Sequence, residues 1–248
     1  MKITFDDIYN CGKVKSQTKL YTHIHYPEMP SRYDSNFVNY KVMPTTEQFV
    51  EVIEMLTKYH QQNGQNFVKC KFPPNEVPPK SLFDEVPGFD VGFLELYAID
   101  PRQFTGNSTE VTVKIVEDQD LEAFLQLQYK EDLHYGESYA KEKQAHLKRE
   151  RQKQGIHQVI AYKNGQPVGS VELIEKEKTV EIDNFFVIST MRGLGIGVAI
   201  QQFVMQLAGN KLVILVADGE DTARNMYKKQ GYRFYGFQYE ALKVDKDA

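Results

Sequence analysis

The chain has 248 residues, 41% of them hydrophobic and 26% charged, with a formal net charge of -4. That leaves room for two domains of ordinary size and excludes a disordered chain. Up to Phe104 there are 11 basic and 13 acidic residues, and beyond it 19 and 21, so neither half has the cationic surplus a nucleic-acid partner demands.

The N-terminal stretch Lys2-Ile3-Thr4-Phe5-Asp6-Asp7 has acidic residues where a signal peptide needs an apolar core, and no apolar run approaches the length of a membrane span. Cys11 and Cys70 form neither a disulfide framework nor a metal pair and suit a reducing compartment. The expectation is a cytoplasmic protein without a membrane partner. The aromatic-rich segment from Leu20 to Tyr26 reads as buried core, with the lining of a substrate cleft as the alternative. Phe49, Val52, Ile53, Leu56 and Tyr59 carry helical spacing over residues 45–60. Strands are expected at 67–72 and 91–99, around the proline-rich loop 72–79. The turn formers of 100–108 lack any apolar period and mark a boundary, giving domains 1–104 and 109–248.

After the boundary, a strand at 111–116 precedes helices at 118–129 and 137–154, the second closed by Gly155. Strands at 157–163 and 167–175 flank Asn164-Gly165, the strongest short hairpin signal, and a third strand spans 179–187. A glycine-rich turn opens a helix over 195–208. The apolar run 211–217 reads as a strand buried on both faces, and a helix at 221–229 ends at Gln230-Gly231 before a strand at 232–239. The fold class is mixed α/β, with a smaller α/β domain in front.

Arg192-Gly193-Leu194-Gly195-Ile196-Gly197 follows a strand and opens a helix, the context a phosphate-binding turn requires. Glycines let the backbone approach a ligand and visit positive φ. The first amides of a helix lack internal partners and lie at the positive end of its dipole. Strand-to-helix turns of this kind also occur without a ligand. A P-loop would need Gly-Lys-Ser or Gly-Lys-Thr where Val198-Ala199 stands, and a dinucleotide fold would place the turn early among parallel strands.

This segment resembles the acyl-CoA loop of the Gcn5-related N-acetyltransferases (GNAT), Gln/Arg-x-x-Gly-x-Gly/Ala. Phe185-Phe186-Val187 lies at the family's distance upstream. Ala223-Arg224-Asn225-Met226-Tyr227-Lys228-Lys229-Gln230-Gly231-Tyr232 is similar to its Ala-x-x-x-Tyr-x-x-x-Gly-Phe/Tyr segment. The resemblance covers residues 111–242. It departs from the family at Asp218-Gly219-Glu220-Asp221, which lacks the Asn many members place there near the pantetheine arm.

The resemblance implies a central mixed sheet flanked by helices and acetyl-CoA as cosubstrate. Phe185, Phe186 and Val187, Arg192 with its fixed charge, and Gly193, Leu194, Gly195, Ile196, Gly197 and Val198 would bind the cofactor. The backbone amide of Val187 would polarise the thioester carbonyl. Tyr227 would protonate the departing thiolate; a packing tyrosine is the alternative. A lysine-like amine has a pKa of about 10.4 and must lose a proton before attack. Glu181 and Asp183 are the candidate bases, expected on the strand face of Phe185 and Val187, with Glu172 as a third choice. The acceptor is expected to be a small-molecule or protein amine. The basic residues between Lys141 and Lys153 alternate with glutamates as a solvated helix face does, and the histidines lack metal spacing, so no metal is expected. The N-terminal half admits reading as a degenerate copy of the same fold, with a role as a wall for the acceptor pocket, a homodimer surface or a cover for sheet edges. The competing functional reading is a non-catalytic acyl-CoA-binding regulatory or scaffold protein.

Overall fold

The computed structural model describes residues 2–220 and 223–245. The chain forms two compact units. The first comprises Met1–Leu96, Ala217–Asp221 and Tyr235–Ala248, and the second Tyr97–Val216 and Thr222–Phe234.

In the first unit, β1 (Lys13–Gln17), β2 (Tyr21–His25) and β3 (Phe37–Tyr40) form an antiparallel meander. Helix α1 (Thr46–Gln62) then crosses to β4 (Phe67–Lys71), which runs parallel to β3. The apolar spacing read from the sequence is the packing face of α1. Phe49, Val52, Ile53 and Leu56 bury against Val38, Tyr40, Val68, Cys70 and Phe72. Strand β5 (Asp90–Ile99) carries the chain into the second unit.

The second unit begins with β6 (Thr112–Ile115), α2 (Leu121–Asp132) and α3 (Glu137–Glu150). Next come β7 (Ile156–Lys163), β8 (Gln166–Glu175) and β9 (Thr179–Val187), then α4 (Ile196–Ala208), β10 (Leu212–Asp218) and α5 (Ala223–Lys229). The strand β11 (Arg233–Val244) returns the chain to the first unit, pairing antiparallel with β4 from Glu240–Lys71 to Val244–Phe67. Strands β6 to β9 are consecutive antiparallel neighbours, and β10 lies parallel to β9. Asn164 and Gly165 both adopt positive φ, +52° and +75°, as the β7–β8 turn requires. Behind the meander, Phe124, Leu125 and Leu127 of α2 and Leu147 of α3 bury against Val116 and Ile160. Helix α4 packs close to β8 because Gly169 leaves room: a Cβ there would meet the Phe186 carbonyl at 2.8 Å and Ile200 Cδ1 at 3.0 Å.

Two frames are therefore built alike. An antiparallel β1–β2–β3 meander, then α1, then a parallel β4 repeats the order and pairing senses of β7–β8–β9, α4 and β10. The fold is the mixed α/β arrangement expected for the second domain, with a smaller α/β unit before it. Three features differ from the sequence reading. Strands β1 to β3 were not legible. The compact units divide after Leu96, not within 104–109, and the C-terminal strand from Tyr235 onward joins the first unit. The start expected for the last helix, Asp221, lies outside the described residues.

Candidate functional site

The glycine turn is held open by backbone geometry. Gly193 and Gly195 have φ of +77° and +78°, a region that costs a side-chain-bearing residue roughly 1–2 kcal/mol. A Cβ on Gly195 would also lie 3.2 Å from the Thr109 nitrogen and 3.3 Å from the Asn107 oxygen, both main-chain atoms. Gly195 is the N-cap of α4 and has no side chain to cap it. The first helical bond runs from the Ala199 N–H to the Gly195 carbonyl at 3.1 Å. The amides of Ile196, Gly197 and Val198 therefore have no acceptor within the helix and face its open end. A Cβ on Gly197 would stand 3.3 Å from Phe185 Cζ, so this residue lets the helix approach β9.

The turn-rich segment 100–109 flanks this end of α4. Thr105 bonds through its N–H to the Gln230 carbonyl and through Oγ1 to the Lys229 carbonyl, each at 3.0 Å. Gln202 Nε2 donates to the Gly106 carbonyl at 3.2 Å. What the sequence marked as a boundary is a strap from the C-terminal end of α5 to the first turns of α4.

Strand β9 meets this turn with an irregular register. Its pairing with β10 runs from Thr179–Leu212 to Ile182–Leu215 and stops there, although β9 continues to Val187. On its other side Glu172 pairs with Asp183 and Ser170 with Phe186, so β9 spends one more residue than β8 across that interval. This is a β-bulge, and Asn184 within it has φ of +51°. The bulge reverses the alternation. Glu181 and Asp183 pair with Ile174 and Glu172, on the face carrying Phe186, which packs into the α2–α3 core. Phe185 and Val187 turn to the other face, each within 3.7 Å of the position a Gly197 Cβ would take. The expectation that Glu181 and Asp183 share the face of Phe185 and Val187 is thus corrected, because the inserted residue shifts the parity by one.

Below the bulge, Val168 accepts a bond from the Ile188 N–H at 3.0 Å. Val187, opposite Gly169, consequently directs its N–H and C=O away from β8, toward the flank where pairing with β10 has ended. Its carbonyl accepts a bond from Arg192 Nε at 2.9 Å, and Arg192 Nη2 lies 3.6 Å from Glu131 Oε1. The expected cofactor-binding charge at Arg192 is thus also a brace on the end of β9. Leu194 is exposed, whereas Ile196 is buried.

The carboxylates differ in setting. Glu181 and Glu172 are buried; Asp183 is half-buried and accepts the neighbouring Asn184 N–H at 2.8 Å. Glu172 Oε1 accepts from Gln158 Nε2 at 3.1 Å. Tyr227 is a buried residue of α5, its ring 5.7 Å from that of Tyr97 and 5.3 Å, edge-on, from that of Tyr232. The Tyr232 hydroxyl donates to Gln201 Oε1 on α4 at 2.9 Å, and burial raises its pKa well above the usual value, so it stays a neutral donor. Asn184, Gln128 and the strap are the parts of this region that sequence reasoning missed. An Asp-Asn pair inside a strand is the signal that marked the bulge, since both residues are poor strand formers and Asn tolerates positive φ.

In the first unit, His23, His25 and His60 gather around Tyr59. Burial, helped by His60, His25 and Lys15, holds His23 down at about 4. Among the described residues no group of three or more His, Cys, Asp or Glu side chains is placed to hold a metal ion, and no helix is long and apolar enough to cross a membrane.

Comparison with known proteins settles the class of the second unit. The profile of the Acetyltransferase (GNAT) family matches residues 119–232. The C-terminal domain belongs to that family. Residues 3–97 match a Domain of unknown function (DUF5613). A functionally unknown conserved protein from Staphylococcus epidermidis is 36% identical over 98% of both chains, with a TM-score of 0.90. A GCN5-related N-acetyltransferase from Sphaerobacter thermophilus is 18% identical, covering 91% of this chain and 81% of its own, with a TM-score of 0.61. Another from Kribbella flavida is 14% identical over 90% and 86%, with a TM-score of 0.58. These two share the fold. No curated protein matches the chain.

Proposed function

We propose that the GNAT domain is a cytoplasmic N-acetyltransferase that uses acetyl-CoA as cosubstrate and a small-molecule or protein amine as acceptor, by direct attack in a ternary complex. The observation that carries this reading is the open amide row of Ile196, Gly197 and Val198 behind the left-handed Gly195, beside a strand end freed from β10. A cradle that a Cβ at Gly195 would fill suits a diphosphate, which the amides and the helix dipole would hold. When bound, acetyl-CoA supplies the thioester, and this chain's groups do the rest.

Val187 presents its N–H toward the gap beyond the β9–β10 pairing, where it would stabilise the charge that develops on the thioester oxygen. Such a donor contributes about 3 kcal/mol in other enzymes. The bulge gives the two faces separate tasks: Phe185 and Val187 face α4 and the cofactor turn, while Glu181, Asp183 and Glu172 face the opposite side. An amine entering from the carboxylate side would give up its proton there as its nitrogen bonds to the carbonyl carbon. The C–S bond breaks, and Tyr227 would protonate the departing thiolate. Nucleic acid and membrane have no part in this scheme.

The test is thiol release from acetyl-CoA across a panel of polyamines, aminoglycosides and peptide amines, repeated with Tyr227→Phe. The expected result is turnover with at least one amine and a fall in kcat of about 100-fold in the variant with acetyl-CoA affinity kept. Equal turnover removes Tyr227 as the acid. Tight binding without thiol release for any amine makes the chain a binder, the non-catalytic alternative.

A further inference from the structure

The β9 bulge separates the cofactor face from the carboxylate face, and one side chain ties it in place. Asn184 Nδ2 donates to Gln128 Oε1 of α2 at 3.0 Å and makes a long contact of 3.4 Å with Glu172 Oε2 of β8. Gln128 is buried, and its Nε2 donates to the fully buried Ser170 Oγ at 2.9 Å. Ser170 and Glu172 are the two β8 residues between which the register slips. Glu172 is held from its other oxygen by Gln158, whose Nε2 also reaches the Leu147 carbonyl at 3.0 Å. The chain of contacts thus runs from α2 through Asn184 to both sides of the bulge. Its members are buried or half-buried, where an amide hydrogen bond fixes geometry more firmly than at a wet surface.

We infer that Asn184 is a positioning residue. Its side-chain bonds to Gln128 and Glu172 hold the left-handed bulge so that the Val187 N–H is aimed at the thioester carbonyl and Glu172 stays on the acceptor side. A side chain with φ of +51° is strained unless something compensates, and Asn is among the few residues that accept it. Without the Nδ2 contacts, β9 is free to relax toward regular pairing with β8. Regular alternation would return Val187 to the carboxylate face and close the separation. The inference rests on the acetyltransferase reading.

The test uses the full chain and [1-13C]acetyl-CoA and needs no acceptor. The carbonyl carbon resonance of the bound cofactor is compared between the wild type, Asn184→Gly and Asn184→Ala, with affinity and thermal stability measured in parallel. Glycine accepts the left-handed backbone but lacks the side-chain bonds; alanine lacks both. The wild-type complex is expected to move the resonance downfield. Asn184→Gly should lose more than half of that shift while binding acetyl-CoA within about threefold of wild type, a change of less than 1 kcal/mol. Asn184→Ala should lose the shift as well and melt lower. A glycine variant that keeps the full shift overturns the inference, since backbone tolerance alone then suffices, as does a bound wild-type carbonyl that does not move. Failure of the wild type to bind acetyl-CoA is a separate outcome, and it defeats the acetyltransferase reading beneath.

Discussion

The two units lay down the same frame and finish it in opposite ways at one point, the entry to the helix that follows the meander. In the first unit that helix is α1, and its N-cap Thr45 closes on itself. Thr45 Oγ1 accepts the Gln48 N–H at 3.3 Å, and Gln48 Oε1 accepts the Thr45 N–H at 3.0 Å. This capping box occupies the Gln48 N–H, one of the donors an anion would otherwise use, and Glu47 adds a carboxylate to the first turn. In the second unit the equivalent position is Gly195, without any cap. On the proposed reading, a helix start can serve as a nucleotide site when its own side chains leave the amides alone and a left-handed glycine clears the approach. The frame is common to both units; the proposed chemistry rests on a few residues of one.

The comparison is broken most severely by closing the open site. Gly195→Val places a Cβ against the main chain of 107–109 at an unfavourable φ, and acetyl-CoA affinity should fall at least about 100-fold by calorimetry. Retained affinity would show that the turn is not the site.

Acid should separate the units next. His23 is neutral when folded and has a pKa of about 4, against 6.5 when unfolded, so at lower pH the unfolded state binds more protons. Stability is complete above about pH 6.5 and is lost as pH falls through that value toward 4. His60 and His25 are shifted in the same direction by burial. Hydrogen exchange followed from pH 7 to pH 4.5 should show α1 and β2 losing protection before α4 and β8, and His23→Gln should flatten the dependence.

The smallest effect is expected from Thr45→Ala, which removes the cap of α1. Melting should register a loss of about 1 kcal/mol, with acetyl-CoA affinity unchanged. Any change in affinity would mean that the first unit takes part in cofactor binding.

The parts legible in the sequence were those with strong local chemistry. The Asn164-Gly165 hairpin, the apolar run that became β10, and the glycines at 193, 195 and 197 each dictate backbone form over a few residues. The first unit's meander was silent because β1, Lys13–Gln17, is exposed at every position and shows no alternation, while β2 and β3 are only five and four residues long. The boundary read from the sequence and the division into compact units differ because turn formers mark a change of direction, which need not be a change of compact unit. The segment 100–109 turns within the second unit, while the division falls inside the uninterrupted strand β5. The face of Glu181 and Asp183 was misread because strict alternation was assumed across Asn184. One residue of bulge outweighs any pattern argument about the side chains beyond it.

The most direct test is a crystal structure of the chain grown with acetyl-CoA. The account predicts diphosphate oxygens within hydrogen-bonding distance of the Ile196, Gly197 and Val198 amides, one cofactor per chain, and none at the Thr45 end of α1. Diphosphate density elsewhere, or a second cofactor seated at α1, would contradict it.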